Sequence, residues 1–157
     1  MGYQETLRVQ DVINGKLGSV YIVKDGERRL AMECKNVTAN FKKNKKEIPV
    51  LGISGVKHKA TGWSGSGSMD MYYGTSELRD SAIKFINTGI DTYYEMIITN
   101  EDPSSDIGRQ SVVLTGVNFD DTVLAKIDIN STELDEQINF TFHGCEMLEK
   151  FKEYKGE

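Results

Sequence analysis

Ile138-Asn139-Phe140-Thr141-Phe142-His143 alternates large apolar with polar side chains without a break. A β-strand sends successive side chains to opposite faces, so this pattern requires a sheet covered on one face and open on the other. A helix built from the same residues would scatter the three apolar side chains around its axis. The chain must therefore make at least one half-buried sheet, and much of the remaining sequence repeats the signal. Leu17 to Val23 is β-branched and aromatic, and the Asp25-Gly26 dipeptide that follows marks a tight hairpin turn. Arg29 to Phe41 forms one or two return strands. The apolar set Leu30, Met32, Cys34 is out of phase with Val37, Ala39, Phe41, which places a bulge between them. Thr92 to Thr99 and Gln110 to Asp120 are further strands, the second with a phase shift near Gly116. Val123, Ala125, Ile127 and Ile129 alternate with Lys126 and Asp128, and predict another strand.

A single stretch is predicted helical. Thr75 or Ser76 supplies an N-cap oxygen, Glu77 and Asp80 suit the positive helix start, and Leu78, Ala82, Phe85 and Ile86 form one stripe. Gly89 provides a left-handed C-terminal stop. Met147, Leu148 and Phe151 lie at roughly helical spacing in a frayed C-terminal tail at about 146–157. The expected fold is mainly β: an antiparallel two-sheet β-sandwich or partly open barrel with a single flanking α-helix, in one domain over 1–157.

Between the second and third main strands lies Lys42 to Lys59, too long for a tight turn. It carries Lys42, Lys43, Lys45, Lys46, Lys57, His58 and Lys59 together with the aliphatics Ile48, Val50, Leu51 and Ile53. Disordered segments are poor in such aliphatics. The stretch is thus an extended arm at about 42–59 whose apolar residues await a partner. Trp63 anchors the place where arm meets sheet. Gly65 and Gly67, two apart, leave one face of the next strand bare, as a shallow groove that another backbone can enter.

The glycine-rich text around Trp63 is not a phosphate cradle, because its lysines precede the glycines and no strand-to-helix frame follows. Two histidines and two cysteines, far apart, show no metal-ligand spacing and no nucleophile–base arrangement. The acids Asp120, Asp121, Glu133, Asp135 and Glu136 are expected as solvated turn residues. No catalytic residue, metal or cofactor is predicted. The N-terminal text has neither a basic head nor an apolar core, which places the expected product in the cytoplasm. Residues 1–60 hold 12 Lys/Arg against 6 Asp/Glu, and residues 61–157 hold 7 against 18. Two surfaces of opposite sign suit a second copy of the same chain, joined head to tail.

The order of "NFKKNKKEIPVLGISGVKHKATGWSGSGSM", "YYGTSELRDSAIKFINTG", "GRQSVVLTGVNFDD" and "IDINSTELDEQINFTFHGCEML" resembles the tail tube proteins of contractile-tailed phages and of PBSX-like phage-derived particles. The resemblance spans nearly the whole chain. It implies hexameric rings stacked into a hollow tube, with the arm reaching the neighbouring ring. R-type bacteriocins use the same tube. It also implies sheath, baseplate and tail terminator proteins as partners, DNA as transient cargo in a true phage, and no membrane anchor. Assembly is expected in the bacterial host cytoplasm, with release of the particle by lysis. A type VI secretion-like ring protein is the nearest rival. A β-barrel nucleic-acid-binding module using Lys42–Lys46 is the rival from another class.

Overall fold

A computed structural model of the chain describes residues 18–30, 34–52, 54–73, 76–103, 108–132 and 134–151. The expectations for Leu17, Met32, Ile53, Thr75 and Glu133 fall outside them, as do the side chains of Arg28, Arg29 and Leu30. Eight strands and one helix are present among the described residues: β1 (Gly18–Lys24), β2 (Glu27–Leu30), β3 (Cys34–Ile48), β4 (Lys57–Tyr72), α1 (Glu77–Thr88), β5 (Tyr94–Glu101), β6 (Arg109–Phe119), β7 (Asp135–Phe142) and β8 (Gly144–Glu149). The protein is mainly β, with antiparallel pairing and one helix, and the sheet does not close into a barrel.

The chain divides into two compact units. The first holds residues 1–32, 93–115 and 144–157. Its sheet follows the order β2-β1-β5-β6, and β8 also pairs with β6. Asp25 and Gly26 both take positive φ, 53° and 82°, so the β1–β2 hairpin closes on the left-handed pair that Asp-Gly favours. Ile22, Tyr94, Met96 and Leu114 are its buried apolar side chains. The tail departs from its predicted helical spacing: Gly144–Glu149 is a strand antiparallel to β6, and Arg109 at the other strand's start donates from Nε to Glu149 at 2.8 Å. Backbone pairing to an existing strand outweighs the helical preference of so short a segment.

The second unit holds residues 33–92 and 116–143. Its sheet follows the order β6-β7-β4-β3, all antiparallel. Strand β6 thus serves both units. Gly116, with φ of 64°, stands where it passes from one to the other and accounts for the phase shift seen in the sequence. The predicted bulge near the start of β3 is present as a register shift between Cys34 and Asn36. Strand β7 reads as its alternation requires, with Glu136, Ile138, Phe140 and Phe142 buried and Gln137, Asn139 and Thr141 exposed. It begins three residues before the alternating apolar run, because Asp135–Gln137 already pair with Asp70–Tyr72.

Gly65 and Gly67 are not left bare for a neighbour. They pair with Phe142 and Phe140, and a Cβ on either would collide with the ring of its β7 partner. The absent side chains make room for two aromatic rings of the same chain. This corrects the expected groove, because the sequence cannot show which strand lies beside β4. At Gly67 the Thr38 carbonyl oxygen is a second obstacle, and backbone cannot rotate away as a side chain can. Gly67→Ala is expected to lower stability by about 2 kcal/mol through overpacking. Urea denaturation checks this, and an unchanged midpoint would show that the Phe140 ring has slack.

Two further expectations differ from the structure. Val123 to Ile129, expected as a strand, is not one: residues 121–128 have no regular structure and Ile129 begins a turn. Helix α1 buries Leu78 and half-buries Ala82, but Phe85 and Ile86 are exposed, as are Ile83 and Ile90. The predicted stripe holds only at its first turns. Ser76 stands at the N-cap without a side-chain cap bond, while Gly89 takes φ of 74° and donates its N–H to Phe85 O as expected.

Candidate assembly surface

Strands β3 and β4 are the two longest elements, and half of their length lies beyond the rest of their sheet. Strand β4 pairs with β7 only from Gly65 to Tyr72. From Lys42 to Ile48 and from Lys57 to Ser64 the two strands pair with each other alone, among the described residues. Seven residues of β3 at about 3.3 Å each give a ribbon roughly 23 Å long. A bulge tightens it: Asn44 pairs with Gly62 and Lys45 with Ala60, which leaves Thr61 unmatched, with its hydroxyl donating to Asn44 O at 3.2 Å.

The segment expected as an irregular arm is therefore mostly a regular β-hairpin, and only residues 49–56 form its loop. Lys42, Lys43, Lys45, Lys46 and Ile48 lie on β3; Lys57, His58, Lys59, Trp63, Gly65 and Gly67 lie on β4; Val50 and Leu51 lie at the tip. Lysine is a weak strand former. Here the ladder extended from the covered part of the sheet carries the strands outward. Gly52 makes the tip turn with φ of 82°, and Leu51 beside it is 101% exposed.

Cross-strand register assigns the ribbon's faces. Phe41, Lys43, Lys45 and Glu47 share one side with Trp63, Ala60 and His58; Lys42, Asn44, Lys46 and Ile48 share the other with Ser64, Gly62, Lys59 and Lys57. The first side continues the covered face of the sheet, through Ala39 and Gly67 to Val37 and Met69. Trp63 stacks at the junction, its ring 6.0 Å from that of Phe142, yet remains 47% exposed, and Phe41 is 65% exposed. Two exposed aromatic rings, Phe41 and Trp63, thus stand where the ribbon leaves the packed sheet, and Lys43, Lys45, Glu47 and His58 continue that side outward. Six lysines crowd the ribbon against one glutamate, Glu47, whose Oε1 is 3.8 Å from His58 Nε2. Lys46 and Lys59 stand directly opposite, which destabilises the pair. Two-stranded ribbons are marginal in water, and this one adds like-charge repulsion.

The sequence did not point to one buried constellation. Arg79, on α1, donates from Nη1 to Glu136 Oε2 at 3.1 Å and to the Val123 carbonyl at 3.4 Å, and its guanidinium lies 4.0 Å from the centre of the Tyr73 ring. The Glu136 side chain is 1% exposed and that of Arg79 10%. Glu136 looked like one acid among several in a connector. Its place in phase with Ile138, Phe140 and Phe142 was the available signal.

The fold is thus a mainly β scaffold whose two longest strands carry an exposed basic ribbon. Residues 5–149 match the family model described as "Phage tail tube protein". Phage-like element PBSX protein XkdM of Bacillus subtilis (strain 168) is 33% identical over 147 residues, 94% of this chain and 97% of that protein. A chain from the sheath-tube complex of an extracellular contractile injection system (PVC) in its extended state superposes with a TM-score of 0.65 at 14% identity, covering 88% of this chain and 93% of its own. A chain from the tail of an empty GTA particle refined with C6 symmetry superposes with a TM-score of 0.52 at 15% identity, covering 90% of this chain and 100% of its own. The chain belongs to the phage tail tube protein family.

Proposed function

We propose that this protein is the subunit of the inner tube of a contractile phage tail or phage-tail-like particle, self-assembling into stacked hexameric rings around a hollow conduit. The observation that carries this reading is the ribbon Lys42–Ser64, a hairpin that pairs with no further strand among the described residues and bears six lysines with the exposed rings of Phe41 and Trp63 at its base. In the tube, the ribbon at about 42–59 reaches a subunit of the neighbouring ring and is covered there. The C6 symmetry of the structurally similar GTA tail supports six subunits per ring, and the PVC sheath-tube complex supports a surrounding sheath. Baseplate and terminator proteins close the two ends, and DNA passes through the lumen only in a true phage. Assembly takes place in the bacterial host cytoplasm before lysis releases the particle. No helix among the described residues is long and apolar enough to cross a membrane.

Negative-stain electron microscopy of the purified, concentrated protein tests the reading. Six-membered rings or tubes are expected. A strictly monomeric protein that binds oligonucleotides with a steep salt dependence would overturn it in favour of a basic nucleic-acid module.

A further inference from the structure

We propose that Val123–Ile129 is a strand held in waiting, which adds to the free edge of β3 in a second copy of the chain. The inference rests on the tube reading and names the partner of the ribbon. From Ala125 the segment has the two-residue alternation of a strand, with Val123, Ala125, Ile127 and Ile129 in one row and Lys126, Asp128 and Asn130 in the other, where Leu124 is the one apolar exception. Yet it joins no ladder, and Ile127 and Ile129 are 97% and 95% exposed. Two neighbouring isoleucines left wholly in water, in a segment of strand pattern, mark surface that becomes covered.

The segment is held ready rather than loose. Arg79 holds the Val123 carbonyl at its start, Lys126 Nζ donates to Asp135 O at 2.6 Å, and an Asx turn from Asp128 Oδ1 to Asn130 N, 3.0 Å, closes its end.

The occupant follows from charge and from edges. Strand β3 ends the order β6-β7-β4-β3, so among the described residues no further strand pairs with its outer edge from Lys42 to Ile48. Such an edge is a template for strand addition. Lysines guard it against indiscriminate pairing, and the opposed Lys46 and Lys59 raise the local potential further. An incoming strand that carries acids relieves this repulsion, and one that carries lysines is rejected. Asp120, Asp121 and Asp128 flank the waiting segment, where Lys126 is the single base. Strand addition places the incoming apolar row beside Phe41, on the face that carries Trp63 one strand further in, while the acids of one copy meet the ribbon lysines of the other. Donor segment and acceptor edge lie in different places on the same chain, so the contact is heterologous and propagates from copy to copy.

The test uses full-length chains, half of them heavy-isotope labelled, mixed and assembled. Two readouts are taken: amide hydrogen exchange before and after assembly, and carbodiimide cross-links sorted by mass spectrometry. Exchange at Leu124–Ile129 is expected to slow at least roughly a hundredfold on assembly. Heavy-to-light cross-links are expected between Lys42–Lys46 and Asp120, Asp121 or Asp128. If rings or tubes form and these amides stay fast, the inference fails and the tube reading stands. Protection that appears only after a sheath protein is added, or lysine cross-links confined to other acids, also overturns it. If the chain forms no assembly at any concentration, both readings fall.

Discussion

Deleting Lys45–Thr61 is expected to give a folded, soluble monomer that makes no tubes. The deletion joins Asn44 to Gly62, two residues that face each other in the ribbon. The new junction is itself an Asn-Gly turn, the dipeptide favoured in two-residue hairpins because both residues take positive φ readily. Lys43 and Trp63 flank it in their native register, and every β4–β7 pair from Gly65 onward is untouched. The removed residues include none of the buried core. Surface changes of this kind stay within about 1 kcal/mol, and loss of the Lys46–Lys59 opposition offsets part of any cost. Assembly, by contrast, loses the outer part of the candidate contact surface, with four of its six lysines and the tip. Thermal melts establish that the monomer is folded, and sedimentation with electron microscopy scores the tubes. Tubes forming at the rate of the intact protein would show that the ribbon is not the inter-ring element.

The second large effect is expected at the buried ion pair. Glu136→Ala removes the carboxylate that faces the Arg79 guanidinium in a desolvated site beside the Val123 carbonyl and the Tyr73 ring. Removing one partner of a buried pair costs about 3–5 kcal/mol, because the remaining charge has lost its solvation without compensation. For a chain of this length that corresponds to a fall of roughly 10 °C in melting temperature. Replacing both partners by methionine is expected to recover most of the loss, since apolar packing then substitutes for two desolvated charges. Guanidinium denaturation of the single and double variants measures both values. A loss below about 1 kcal/mol for Glu136→Ala would mean that water reaches the pair and that it behaves as a surface bridge.

This pair also shows how far the sequence reached. Glu136 is in phase with Ile138, Phe140 and Phe142, so its strand position was readable, but its charge argued for solvent. Only the arrival of α1 over that face, with Arg79 pointing inward, made a buried carboxylate tolerable. The helix itself was read correctly at its C-terminal end, where Gly89 acts locally, but Ser76 supplies no cap bond at the other end and the stripe holds only in part. Phe85 and Ile86 lie on the helical period whether or not anything covers them. A hydrophobic row specifies a face, and tertiary contacts determine whether that face is occupied.

The same distinction separates the two glycine and aliphatic motifs. Gly65 and Gly67 were legible as a place where side chains are forbidden, but what forbids them, the rings of Phe142 and Phe140, sits more than seventy residues away in the chain. Val123–Ile129 carries the alternation of a strand and finds no ladder within the described residues. The extended arm expected at 42–59 takes the form of a paired ribbon because strand pairing, once started against β7, propagates past the last covered residue.

By itself the sequence determined what depends on neighbours along the chain: the strand alternation of 138–142, the Asp25-Gly26 hairpin, the bulge near Cys34, the change of phase at Gly116, the helix stop at Gly89, and the concentration of lysine at 42–59. These follow from φ/ψ preference and side-chain period, which act over a few residues. Only the tertiary structure decided which strand lies beside which, where an edge is left unpaired, which acid is buried and which apolar rows remain in water. Those outcomes depend on pairings between residues tens of positions apart, and the same local pattern is compatible with either a filled or an open partner site.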